Sequence, residues 1–259
     1  MKRIMQTARQ RGEAAAERMT TAYQRLLNIS QAAVQQAQQV QAALGQQATQ
    51  EAQKLADTLH HFLPRVEQVI DQTTRRVLQR ESVPAAQKIV SLFEPPTAIL
   101  RKGKPGQATQ FGRAVWLDEV EAGIISRYDI LNGNPPDDQQ VRPSLEHHRQ
   151  VFNKPPDLLA GDRGTYSPAN ERYAQAQGIK HLVMPKPGAK SAERIAYEKQ
   201  RWFRHGRNWR SGIEGRISGL KRGQKLARCL YHGDDGMERW VGWGVIAHDL
   251  RVIARATAH

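Results

Sequence analysis

Residues 1–63 hold no proline, and apolar positions recur through them at irregular helical intervals: Leu26, Leu27, Ile29, Val34, Val40 and Leu44. Ala and Gln, both tolerant of helix, fill much of the rest. The pattern predicts one or two long helices, with breaks at Asn28-Ile29-Ser30 or at Gly45. The heptads are too ragged to define a coiled coil, so a solvated arm and a partner surface both stay open. The helical signal strengthens over 52–93, in LADTLHHFLPRVEQVIDQTTRRVLQ and VPAAQKIVSLF, with Pro64 and Pro84 as punctuation. Glu94-Pro95-Pro96 ends the region, and a basic turn, Arg101-Lys102-Gly103-Lys104-Pro105-Gly106, follows it.

The period changes after residue 111. Ala114-Val115-Trp116-Leu117 reads as a strand, and 123–131 reads as its hairpin partner. A Pro/Asp turn at 134–138 leads to a helix over 139–152. Leu158-Leu159-Ala160-Gly161-Asp162 is a short apolar strand ending in an acid. Ser167 and Pro168 suit the N-cap and first position of a helix that Gly178 stops. His181–Pro185 is another strand, and a basic linker and a long helical stretch follow. Alternating strands and helices define an α/β domain. We therefore expect a helical N-terminal region over 1–95 and an α/β domain over 96–259.

Charge changes the picture. The chain carries 39 Lys and Arg against 25 Asp and Glu, a net +14. Such an excess attracts polyanions, DNA or RNA foremost. The single cysteine, Cys229, excludes a disulfide framework and fits a cytoplasmic setting. No stretch of about 18 apolar residues is present to span a membrane, and the N-terminus lacks a secretory apolar run.

The acids stand out against this background. Asp162 ends a strand, where ligand sites of α/β sheets gather; a plain turn Asp before Gly164 is the competing reading. Between Arg201 and Arg228 there are nine Arg or Lys and one acid, Glu214. On a helix, Arg210, Glu214, Ser218, Lys221 and Lys225 share a face, beside an apolar stripe of Ile213, Ile217 and Leu220. Gly212, Gly215, Gly219 and Gly223 form a third, bare stripe, at a cost of about 1 kcal/mol each relative to Ala, which suggests close approach of another backbone or of a nucleic acid strand. A loose helix with Glu214 paired to Arg210 is the alternative. Asp118, Glu119 and Glu121 stand near the end of the first strand. Carboxylates on neighbouring strands and on a packed helix can hold two divalent cations about 3.5–4 Å apart, a pair that activates water or a 3′-hydroxyl for phosphodiester cleavage. Mg²⁺ or Mn²⁺ suits such oxygen ligands.

The stretches FGRAVWLDEVEAGIISRY, LLAGDRGTYSPANE, RWFRHGRNWRSGIEGRISGLKRGQKLARC and ERWVGWGVIAHDLRVIAR together resemble the catalytic domain of bacterial insertion-sequence DDE transposases of the ISNCY type. The resemblance covers roughly residues 60–259. Asp162-x-Gly-x-Tyr resembles the second-acid motif, and Arg210-x₃-Glu214-x₆-Lys221 the third-acid motif; Arg207 stands where the related motif often has Tyr. The resemblance implies a ribonuclease-H-like mixed sheet flanked by helices, a two-metal site of Asp118, Asp162 and Glu214, and cleavage and strand transfer of DNA. Strand alternation lets only one of Asp118 and Glu119 face the site; Asp118 is preferred and Glu119 is the alternative. Arg207, Arg210, Lys221, Arg222 and Lys225 become the DNA-binding residues, and a homo-oligomer on DNA in the bacterial cytoplasm is implied. The end-reading helix-turn-helix domain usual in the family is not evident. A structure-specific nuclease and an inactive, truncated DNA-binding remnant are therefore the competing functions.

Four further features carry less. Gly188-Ala189-Lys190-Ser191 lacks the glycines of a phosphate-binding loop. Cys229 and His232 would be half a zinc site without a second pair. His147-His148 reads as solvated. Trp202, Trp209, Trp240 and Trp243 read as core anchors, Trp202 or Trp209 being placed to stack on a base.

Overall fold

A computed structural model of the chain describes residues 12–47, 49–101 and 109–258. They fall into two compact units, one ending at Gly112 and the other starting at Arg113.

The first unit is built on a helical hairpin. Helix α1, Glu13–Leu44, runs unbroken through Asn28-Ile29-Ser30; Gly45 follows its end, and the Gly45 N–H returns to the Gln41 carbonyl at 3.0 Å. Helix α2, Gln50–Thr73, is capped by Thr49, whose hydroxyl accepts from the Ala52 N–H. Leu27 and Val34 of α1 and Ala52 and Leu63 of α2 are buried. Pro64 lies inside α2 rather than ending it. It sits on the exposed side, where the backbone carbonyl that loses its partner can be hydrated.

The helix expected over the VPAAQKIVSLF segment does not form. Past a π-helical turn at Thr74–Leu78, only one 3₁₀ turn, Ala85–Gln87, interrupts an irregular chain. Side chains of α2 hold that chain in place of its own helical bonds. The Gln72 amide donates to the Ile89 carbonyl at 2.8 Å and accepts from its N–H at 2.9 Å. Gln68 donates to the Gln87 carbonyl and Arg65 to that of Leu92. A short antiparallel hairpin that the sequence reading did not anticipate closes the unit: β1, Ala98–Arg101, against β2, Thr109–Gly112. Apart from Arg101, the basic turn between them lies outside the described residues.

The second unit opens with the expected hairpin. Strand β3, Ala114–Glu119, pairs antiparallel with β4, Ile125–Leu131, with an irregularity between Asp118 and Glu119. Ala122 and Gly123 both take positive φ in the tight connection. Helix α3, Val141–Phe152, ends at Asn153 in the left-handed conformation. Strand β5, Leu158–Ala160, runs parallel to β6, His181–Val183, and α4, Pro168–Ala176, connects them. Ser167 caps α4 by accepting from the Asn170 N–H, with Pro168 in the first turn, as its sequence predicts. Helices α5 (Ala192–Lys199), α6 (Arg201–Gly223) and α7 (Gly233–Thr257) follow.

The unit has two apolar clusters. Val141, Leu145, Ala174, Ile179, Leu182 and Met184 join α3 and α4 to β6. Ile125, Val241 and Val245, with Val115, Leu117 and Tyr128, seat α7 on the β3–β4 hairpin. Helices and strands are both present, as an α/β class requires. The strands form three separate two-stranded ladders, and no hydrogen-bonded continuity joins one ladder to another among the described residues. No helix among them is long and apolar enough to cross a membrane.

The α7–hairpin contact has a pH signature. Asp249 accepts the Ile125 N–H at 3.0 Å, and burial pushes its carboxyl above the ordinary aspartate range. An acid whose folded pKa is raised opposes folding once it ionises, so the penalty is present at neutral pH and fades on acidification. Asp249→Asn keeps the acceptor and removes the charge. It is expected to be more stable than the parent at pH 7, with the gap closing by about pH 4, as read by thermal unfolding across that range. A variant less stable than the parent at pH 7, with the deficit closing on acidification, would show that the charge, not the acceptor oxygen alone, holds the strand.

Candidate metal and nucleic-acid site

The end of β5 is built for a fixed acid. The Gly161 N–H extends the ladder by bonding the Val183 carbonyl at 3.0 Å, and a Cβ at Gly161 would lie 2.2 Å from Thr165 Oγ1. Asp162 comes next. Its Oδ1 accepts the Gly164 N–H at 2.8 Å, and its carbonyl accepts the Thr165 hydroxyl at 2.7 Å. Oδ2 is left pointing to α6, where it meets Arg210 Nη2 at 3.3 Å.

Helix α6 supplies the other half. Phe203 and Gly206 are buried on α6, and a Cβ at Gly206 would lie 2.7 Å from Val183 Cγ2 of β6 and 3.1 Å from Leu158 Cδ1 of β5. Arg210 follows two turns after Phe203 on the same face. One turn later stands Glu214, whose Oε1 is 3.8 Å from Arg210 Nη1. A single guanidinium therefore lies between Asp162 and Glu214. Their carboxylates are within about 10 Å of each other, the reach of one planar fork and its two contacts.

The first acid is not brought to this place. Asp118 turns toward α3: its Oδ1 accepts from the Ser144 hydroxyl at 2.8 Å and from Trp116 Nε1 at 2.7 Å, and its Oδ2 lies 3.3 Å from Arg127 Nη1. Glu119, on the opposite face of β3, lies 2.6 Å from Arg216 Nε with 5% of its side chain exposed. Burial raises the Glu119 pKa and Arg216 draws it back down. An acid that the sequence reading passed over lies nearer: a Cβ at Gly164 would meet Asp137 Oδ2 at 2.8 Å and Asp162 Oδ1 at 3.1 Å. Asp137 belongs to the stretch read only as a turn.

Mg²⁺ asks a protein for one or two carboxylates and leaves the rest of its shell to water and substrate phosphate. Asp162 and Glu214 fit that demand, with the Arg210 guanidinium as a stand-in cation between them. A full triad does not fit as arranged: no group of three or more His, Cys, Asp or Glu among the described residues could hold a metal ion.

The basic face divides. Arg204, Arg207, Lys221 and Arg222 are exposed on α6. Arg216 is committed to Glu119, and Lys225 lies beyond the helix with φ 57°, so it does not share the helical face of Glu214. Among the described residues Gly215 and Gly219 face open space, whereas a Cβ at Gly223 would lie 3.4 Å from Arg251 Nη1 of α7.

Several side chains differ from their sequence reading. Trp209 and Trp243 are exposed, at 38% and 65%, so neither is a core anchor. His147 and His148 are half-buried rather than solvated; the His147 ring bonds the Ser126 carbonyl, and burial lowers the pKa of His148. Lys190 pairs with Glu198, and Ser191 caps α5.

No protein-family model, curated protein or solved structure matches the chain.

Proposed function

We propose that the second unit is the catalytic domain of a DDE-type insertion-sequence transposase, a ribonuclease-H-like enzyme that cuts DNA and joins the cut 3′ end to a target. The observation that carries the reading is the meeting of Asp162, from a strand end, with Glu214, from a basic helix, across one guanidinium. On this reading Asp162 and Glu214 hold Mg²⁺ or Mn²⁺, with Asp118 or Glu119 as the first acid once the free arrangement changes. The bound cation would activate water or a 3′-hydroxyl and stabilise the leaving oxygen. The chain itself holds the DNA. Arg210 and Lys221 flank Glu214 and take the phosphates beside the scissile bond. Arg207, Arg222 and Lys225 take the flanking duplex, where phosphate contacts position the substrate without reading its sequence. The enzyme would act as a homo-oligomer on transposon ends and target in the bacterial cytoplasm.

A second reading, an inert DNA-binding protein, is favoured by the engagement of Asp118 with Ser144 and Arg127 and of Glu119 with Arg216. Incubation with a labelled duplex in Mg²⁺, Mn²⁺ or chelator separates the two. The transposase reading expects metal-dependent cleavage that Asp162→Asn abolishes while salt-sensitive DNA binding stays. Binding without cleavage in either metal would leave the inert reading. A 3′-hydroxyl donor end in the same reaction distinguishes strand transfer from the action of a plain nuclease.

A further inference from the structure

We propose that Arg210 is an internal cation that metal and DNA displace together, so that each strengthens the binding of the other. The inference rests on the metal-site reading of Asp162 and Glu214. In the free protein the Arg210 fork lies against both carboxylates and offsets one of their two negative charges. A divalent cation arriving between them meets a positive charge at contact distance, and the two repel. Arg210 therefore leaves when metal enters, and it needs another anion. DNA supplies one, because the phosphate fits a planar fork as well as a carboxylate does.

The geometry favours release at Arg210 rather than at its neighbour. Its contacts, at 3.3 and 3.8 Å, are long for charge-assisted bonds, which run near 2.7–2.9 Å, and both of its carboxylate partners are solvent-accessible. Arg216, on the same helix, meets the nearly buried Glu119 at 2.6 Å. It has no comparable freedom to leave, since departure would strand a buried carboxylate. One helix thus carries one fixed arginine and one transferable one. Coupling of this kind is reciprocal: the factor by which DNA improves metal affinity is the factor by which metal improves DNA affinity.

The test is Mn²⁺ titration calorimetry at constant ionic strength. It is run on the full chain alone and on the full chain saturated with a short mixed-sequence duplex, with the duplex alone as blank. In the wild type the duplex is expected to tighten Mn²⁺ binding about fivefold or more. Arg210→Gln should bind Mn²⁺ more tightly than wild type without DNA, and the duplex should add less than it adds to wild type, the remainder being direct phosphate ligation. Arg210→Lys, which keeps the charge, should retain coupling. Circular dichroism checks that each variant is folded. If Asp162→Asn weakens Mn²⁺ binding but Arg210→Gln neither raises the affinity nor reduces the coupling, this inference is overturned and the metal site stands. If Asp162→Asn leaves Mn²⁺ affinity unchanged, the metal-site reading itself fails and takes the inference with it.

Discussion

Glu214→Gln is expected to lower metal-dependent cleavage by about 100-fold or more while DNA affinity holds or rises. Losing a mere outer partner of a metal ligand already costs 10–100-fold, so losing the ligand's own charge should cost at least the upper end. The substitution should leave the fold alone. Glu214 is 77% exposed and makes one long contact, to Arg210, and surface changes of that kind stay within about 0.5 kcal/mol. Binding moves the other way because Glu214 is the one acid in a helix otherwise charged for phosphate. Removing it takes a negative charge from beside the DNA backbone. Single-turnover cleavage and a binding isotherm on the same duplex measure both arms. A folded Glu214→Gln protein that cleaves at the wild-type rate would falsify the ligand role and remove the most specific residue from the transposase reading.

The sequence was most legible where local signals and the final packing agree. Alternation marked β3 and β4, an apolar run ending in an acid marked β5 and Asp162, and the Ser167-Pro168 cap marked α4, because each is decided within a few residues. It was least legible where a distant side chain replaces the backbone's own partner. Residues 82–93 have a helical pattern, but Pro84 interrupts them, and Gln68 and Gln72 of α2 bond backbone groups of Gln87 and Ile89, which leaves the segment irregular. Pro64 marked a break that exposure made unnecessary. In the site, spacing placed Glu214 one turn beyond Arg210, but only the seating of α6 shows that the same arginine reaches Asp162. Asp137 could not be linked to Asp162 from spacing, since their approach depends on how the turn at Gly164 folds back. The face of Asp118 was equally out of reach: alternation separates it from Glu119 but does not say that Ser144 waits on its side.

Phe203→Ala is expected to destabilise the second unit by about 3–5 kcal/mol, the usual cost of emptying a buried aromatic site. Phe203 is 1% exposed and meets the Tyr197 and Trp202 rings edge-on at centroid distances of 5.6 and 5.7 Å. Little around it can collapse. Gly206, one turn on, already lets Val183 and Leu158 approach to the limit that a missing side chain permits. The cavity is therefore expected to stay largely open, which puts the cost toward the upper end of the range. The consequence reaches the site, because Phe203 and Arg210 share a face of α6 two turns apart. That face, which at Gly206 closes on Val183 and Leu158 of the β5–β6 ladder, aims Arg210 at the end of β5. Urea unfolding followed by tryptophan fluorescence reads the loss as a shift in midpoint at unchanged slope. A loss below about 1 kcal/mol would mean that α6 is not held to the ladder at Phe203. The approach of Arg210 and Glu214 to Asp162 would then have to be fixed by some other contact.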